Sequence, residues 1–170
     1  MPGYFKKKYV MESNTLLDKF FNAIRNGDAE KVANLIDVQP ELVNVRDQRG
    51  STPLILAAYY DALPIVKLLL ENGANIDDKD YSGNTAMMGA CFKGYKDVVA
   101  FLIASGANVN ATNANGATAL VYAATFANKE ILLLLLDNNA DKTIKDTRGN
   151  TALMQAKLQG LNDIAELLEN

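Results

Sequence analysis

Four glycine-led segments recur at one fixed spacing. Gly50-Ser51-Thr52-Pro53-Leu54 returns as Gly83-Asn84-Thr85-Ala86-Met87, then as Gly116-Ala117-Thr118-Ala119-Leu120 and Gly149-Asn150-Thr151-Ala152-Leu153. The interval from each glycine to the next is constant, and the same interval links Ala57, Ala90, Ala123 and Ala156. It also links Asp47, Asp80, Asn113 and Asp146. A period of this size marks units that cannot bury an apolar face alone and stack on their neighbours to do so. The chain has 170 residues, which by length suggests one or two globular domains. The period instead predicts a single elongated array.

Local signals agree with helix-turn-helix units. Each glycine sits in a tight turn where a positive φ carries no Cβ penalty. Thr52 then serves as an N-cap, and Pro53 suits the first helical position. Pro64 opens a second helix and Gly73 stops it, while Asn139 takes the glycine's place in the fourth copy. Residues 14–46 form a degenerate first copy. There Thr15 with Asp18 reads as a weak capping box. Leu16, Leu17, Phe20, Phe21 and Ile24 follow at helical spacing, and Gly27 ends that helix. A second helix opens at Ala29 with Val32, Leu35 and Ile36 on its buried side. The step from Gly27 to Gly94 is longer than two periods by a single position. That extra residue is expected in a short turn around Pro40-Glu41-Leu42-Val43.

These residues resemble the ankyrin repeat, a β-turn followed by two antiparallel helices. The second copy carries Asp47, Gly50, Thr52-Pro53-Leu54, Ala57-Ala58, Ile65-Val66, Leu68-Leu69-Leu70, Gly73-Ala74 and Asp77. The third carries Asp80, Gly83, Thr85, Ala90, Gly94, Val98-Val99, Leu102, Gly106-Ala107 and Val109-Asn110. The resemblance implies an all-α, ankyrin-like solenoid of about five helix-turn-helix repeats with short β-turn projections. The repeats fall at about 14–46, 47–79, 80–112, 113–145 and 146–170, after a flexible leader over residues 1–13. One departure concerns the family's histidine after Thr-Pro-Leu, which ties neighbouring loops by hydrogen bonds. Here that slot holds Ile55, Met88, Val121 and Met154. Apolar packing is expected to hold those contacts instead.

The register makes Leu68, Leu102 and Leu135 the equivalent core positions. Ala58, Cys91 and Ala124 share a slot that must face the next repeat through a small side chain. Lys157 occupies it in the fifth copy, as a polar terminal face requires.

Composition bounds the chemistry. The chain contains no histidine and one cysteine, so histidine triads, histidine-bearing zinc sites and cysteine clusters are not available to it. Its glycines stand singly and make no phosphate loop. Asp47, Asp80 and Asp146 form a row, but successive repeats lie roughly 10 Å apart, too far for a paired acid site. An aspartate at a turn start bonds its own backbone. No enzyme, cofactor or metal is therefore expected. Net charge is −3 with a pI near 5.0, the opposite of a nucleic-acid footprint. Lys6, Lys7 and Lys8 read as a solvated tail. No apolar run is long enough to span a membrane. Glu12, Ser13 and Asn14 follow the basic patch where an export signal would be apolar. A cytoplasmic monomer is expected, with Cys91 a buried, inert thiol. The sequon at Asn110-Ala111-Thr112 carries no weight in that setting. Leu133 shares a slot with Lys67, Ala100 and Glu166 and is expected to point outward.

The end of each first helix is the candidate site. Its last two residues are Tyr59-Tyr60, Phe92-Lys93, Thr125-Phe126 and Leu158-Gln159. The resemblance implies that these positions, with the turn tips, line a concave face that meets partners. Tyr59, Tyr60, Tyr81, Phe92, Lys93, Phe126, Arg49 and Arg148 are the expected partner-binding residues. Aromatics give large contact area at low entropy cost. The competing role for each ring is packing between helices. The implied function is a non-catalytic module binding an unidentified protein or peptide. The alternatives are a small-ligand-binding repeat protein and an accessory subunit of an enzyme. With slots roughly 10 Å apart, the strip from Tyr59 to Phe126 is expected to span about 20 Å.

Overall fold

The computed structural model describes residues 16–169. The expected leader and Thr15, the expected first N-cap, lie outside the described residues. Within them the fold is all-α, with ten helices and no strand. Helix α1 covers residues 16–25. The others are α2 (Ala29–Val38), α3 (Pro53–Tyr59), α4 (Leu63–Glu71), α5 (Ala86–Lys93), α6 (Lys96–Ala104), α7 (Ala119–Thr125), α8 (Lys129–Asp137), α9 (Ala152–Leu158) and α10 (Asn162–Glu169). A 3-10 helix at Pro40–Asn44 absorbs the extra residue between the first two pairs.

Capping sets where each pair begins. Thr52, Thr85, Thr118 and Thr151 accept through Oγ1 from the backbone N–H of Ile55, Met88, Val121 and Met154, at 3.3 to 3.4 Å. The periodic aspartates are turn residues. Asp47 Oδ1 accepts from the N–H groups of Arg49 and Ser51 at 2.8 and 2.9 Å. Asp80, Asn113 and Asp146 repeat this pair of bonds. Backbone hydrogen bonds to Asp146 hold its carboxyl below the usual carboxylate range.

First helices stack in a row, α3 on α5, α5 on α7 and α7 on α9. Ala57, Ala58, Ala90, Cys91, Ala123 and Ala124 are fully buried between them, because only small side chains let the helices approach. Lys157 breaks the pattern: it is exposed and its Nζ lies 2.6 Å from Glu169 Oε1. Second helices bury Ile65, Val66 and Leu69, then Val98, Val99 and Leu102, then Ile131, Leu132 and Leu135. This corrects one core position. Leu69, and not Leu68, stands one period before Leu102 and is fully buried, whereas Leu68 is only partly so. Leu133 points outward, as expected.

The loops are not tied by apolar packing alone, which corrects a second expectation. Tyr81 N–H donates to Arg49 O at 3.1 Å, Ala114 N–H to Ser82 O at 3.0 Å, and Thr147 N–H to Asn115 O at 2.9 Å. Arg46 Nη1 donates to Gly50 O and Lys79 O at 2.7 and 2.6 Å, and its Nη2 pairs with Asp78 at 3.1 Å. Lys79 Nζ in turn reaches Thr112 O at 2.7 Å. A cationic side chain thus spans to the equivalent carbonyl one repeat further on. These bonds do the tying that an imidazole would otherwise do.

The turn inside each helix pair has its own rule. Asp61, Gly94, Ala127 and Gly160 stand one period apart, and all have positive φ, from 54° to 79°. Two of the four are glycine. Asp61 and Ala127 hold the left-handed conformation with a Cβ, which is strained. Asn139 does the same at the end of α8, as expected.

Candidate functional site

The last turns of α3, α5 and α7 place their aromatic residues side by side. Tyr60 and Tyr59 meet edge-to-face with ring centroids 5.5 Å apart. Tyr59 lies parallel to Phe92 at 6.2 Å, and Phe92 meets Phe126 edge-on at 4.7 Å. These separations are well below the spacing of helix axes, because the rings lean toward one another. The strip is therefore shorter than expected. All four rings stay exposed, from 37% for Tyr59 to 46% for Phe126, so none is swallowed by helix packing. Lys93 Nζ sits 5.3 Å from the centre of the Tyr59 ring, a cation–π contact at the edge of the row.

A cleft of about 910 Å³ runs beneath this row. Its helix side includes Ile55, Leu56, Tyr59, Tyr60, Met88, Gly89, Phe92 and Tyr122. Its turn side includes Arg46, Asp47, Arg49, Asp80 and Asn84, and Leu17, Asp18, Phe21 and Arg25 of α1 reach it from one end. Of the expected residues, Tyr59, Tyr60, Phe92 and Arg49 line the cleft together. Phe126 joins them through Phe92, and Lys93 through Tyr59. Tyr81 is 76% exposed on its turn tip, with its ring against Gly50. Arg148 belongs to the last turn and is not among the cleft's lining residues.

Tyr122 is a lining residue that sequence reasoning missed. Its hydroxyl donates to Asn84 Oδ1 at 3.1 Å, and Asn113 Nδ2 donates to Asn84 Oδ1 at 2.9 Å and to the Tyr122 oxygen at 3.1 Å. Half-burial pushes the phenol above its ordinary value, partly opposed by the Asn113 bond. The ring meets Phe92 edge-on at 6.3 Å. A signal was present, since Tyr122 precedes Phe126 by one helical turn and therefore shares its face. The network also accounts for Asn113 in a slot otherwise held by aspartate: its amide donates where a carboxylate could only accept.

The described residues contain no group of three or more acidic or cysteine side chains placed to hold a metal ion, and no helix long and apolar enough to cross a membrane. Cys91 is fully buried and desolvation raises its thiol, so it stays protonated.

The family model described as "Ankyrin repeats (3 copies)" matches residues 20–113 and 102–170. This chain belongs to the ankyrin-repeat family. Ankyrin repeats are generally non-catalytic modules of protein–protein interaction. Among curated relatives, "Ankyrin repeat and SAM domain-containing protein 6" of Mus musculus is 40% identical over 57 residues, 34% of this chain and 6% of that protein. "Palmitoyltransferase akr1" of Schizosaccharomyces pombe is 38% identical over 61 residues, 36% of this chain and 10% of that protein. "BTB/POZ domain-containing protein 3" of the same yeast is 44% identical over 52 residues, 31% of this chain and 10% of that protein. The ankyrin-repeat chain thus matches a small part of each relative's length.

Proposed function

We propose that this chain is a non-catalytic binding module whose partner, a protein or peptide segment, seats on the cleft at the ends of α3, α5 and α7. The observation that carries the reading is the continuous row Tyr60–Tyr59–Phe92–Phe126, exposed on every ring and held on three stacked helices. Exposed rings have a cost in water that a partner's surface relieves. The surface is preformed: each ring sits on a helix locked by its neighbours, so little ordering entropy is lost on association. Arg49 and Lys93 flank the row and supply polar contacts at its rim, and Tyr81 would add contact area from its turn tip. Arg148 would extend the surface along the turn tips. The same reading has the chain act as a monomer in the cytoplasm, where the lone buried thiol suits a reducing setting.

The test is a side-by-side affinity purification with the natural chain and a Tyr59→Ala/Phe92→Ala variant, both shown to be folded by circular dichroism. A partner retained by the first and lost from the second supports the reading. Equal retention moves the recognition surface elsewhere.

A further inference from the structure

Gly89 stands apart from every other described glycine. The others have positive φ and occupy turns, whereas Gly89 lies inside helix α5 with ordinary helical geometry. Glycine inside a helix is less stable than alanine, through backbone entropy. The fold does not demand it either. A Cβ added there would meet only Tyr59, at 3.8 and 3.9 Å, which is ordinary van der Waals contact. The equivalent slot in the other first helices holds Leu56, Tyr122 and Gln155. Gly89 therefore opens a notch in the cleft wall, one repeat away from the Tyr122 ring, at a place where its own fold would accept a methyl group.

The chemistry around the notch is that of a cation site. Aromatic faces come from Tyr59, Phe92 and Tyr122. Asp47 and Asp80 face the cleft from the turn side; each uses Oδ1 on turn N–H groups, Asp80 Oδ2 also accepts from Asn84 Nδ2 at 3.5 Å, and neither carboxylate makes an ion pair among the described residues. Arg46 is already paired with Asp78. That leaves the carboxylates of Asp18, Asp47 and Asp80 against Arg25 and Arg49 among the lining residues. Lys93 already holds its ammonium over the Tyr59 ring, 5.3 Å from its centre, which shows that this row of rings takes a cation.

Resting on the groove reading above, we propose that Gly89 is a specificity-determining position that admits an arginine side chain of the partner peptide. The guanidinium plane stacks on the rings, the stem crosses the bare backbone at Gly89, and the head meets Asp80. Arginine is the fitting occupant because its flat, weakly hydrated guanidinium stacks on aromatic faces while its edge N–H groups stay free to donate to a carboxylate oxygen, here Oδ2 of Asp80.

The experiment is an amide NMR titration of the full chain with Ac-Ala-Arg-Ala-NH2, and with the same peptide carrying leucine or glutamate in place of arginine. Two variants are titrated beside it. Gly89→Ala adds one methyl to the notch. Asp80→Asn removes one charge and keeps the turn, since Asn113 makes the same two turn bonds one repeat later. The arginine peptide is expected to shift the Gly89, Tyr59 and Phe92 signals and to bind more tightly than the other two. Each variant should weaken that binding by about tenfold or more, while Gly89→Ala unfolds at the same temperature as the natural chain or higher. A lower unfolding temperature for Gly89→Ala shows that the fold itself needs the glycine and overturns the proposal. Equal or tighter binding of the leucine or glutamate peptide at these signals, or undiminished binding by either variant, overturns the arginine assignment and leaves the recognition face standing. No shift along the groove with any peptide removes both.

Discussion

A Cβ on Gly83 would stand 2.6 Å from the backbone nitrogen of Ala114, one repeat further along. The turn tips stack so closely that the glycine of one touches the main chain of the next. Gly149 has the same left-handed φ but nothing within 4 Å. The two sites separate backbone strain from steric contact. Gly149→Ala should cost about 1–2 kcal/mol from strain alone. Gly83→Ala should cost more, because neither backbone can yield. Urea denaturation of both variants checks the order.

Ala127 carries φ 54° in a slot where Gly94 and Gly160 sit without strain, and its side chain is exposed. Ala127→Gly should therefore stabilise the chain by roughly 0.5–1 kcal/mol, the left-handed penalty less the entropy that glycine adds to the unfolded state. Differential scanning calorimetry reads the rise. A fall would mean that the methyl group makes a contact worth more than the strain.

Leu69, Leu102 and Leu135 are fully buried at equivalent positions. Alanine at any of them should cost about 2–5 kcal/mol. Leu68→Ala should cost clearly less, since its side chain is only partly covered. Equal losses at Leu68 and Leu69 would contradict the register. The same experiment reads the small-residue slot. Ala124→Lys buries an unpaired charge between α7 and α9 and should be strongly destabilising. Lys157→Ala removes one exposed ion pair and should be nearly silent.

Much of this architecture was legible in the sequence, and the gaps have physical causes. The period, the threonine caps and the turn glycines are backbone requirements, so each leaves a residue type at a fixed position. The Leu68 assignment slipped by one because Leu68-Leu69-Leu70 are chemically alike, and only the rotation of α4 decides which faces inward. The aromatic row was readable as positions on helix ends. Its ring-to-ring distances were not, because they depend on how side chains lean between helices. Asn84 meets Asn113 and Tyr122 only through pairing across repeats, 29 and 38 residues apart, and no local pattern announces that. No sequence pattern singles out Arg46 and Lys79, whose donors close the loops where histidine is missing.

Burial raises the Cys91 thiol above its ordinary value. A thiol in the unfolded chain titrates near pH 8.5. Below that pH both states are protonated and the contribution is full. As pH rises further the unfolded state loses its proton first, so stability falls. The natural chain should lose about 1 kcal/mol more than Cys91→Ala between pH 7 and 9.5. Alanine already fills this slot as Ala58 and Ala124, so the variant should fold normally at neutral pH. Parallel alkaline losses in the two chains would mean that the thiol is accessible in the folded state.

Phe92 is the hub of the recognition face, touching the rings of Tyr59, Tyr122 and Phe126. The most direct measurement pairs two effects of Phe92→Ala: the affinity for a captured partner by titration calorimetry and the melting temperature of the free chain. A ring that anchors a partner should lose about 2 kcal/mol or more in binding. Its removal should cost less than that in folding, since the ring is 40% exposed. Unchanged binding together with a collapsed melting temperature would make Phe92 a packing residue and contradict the account.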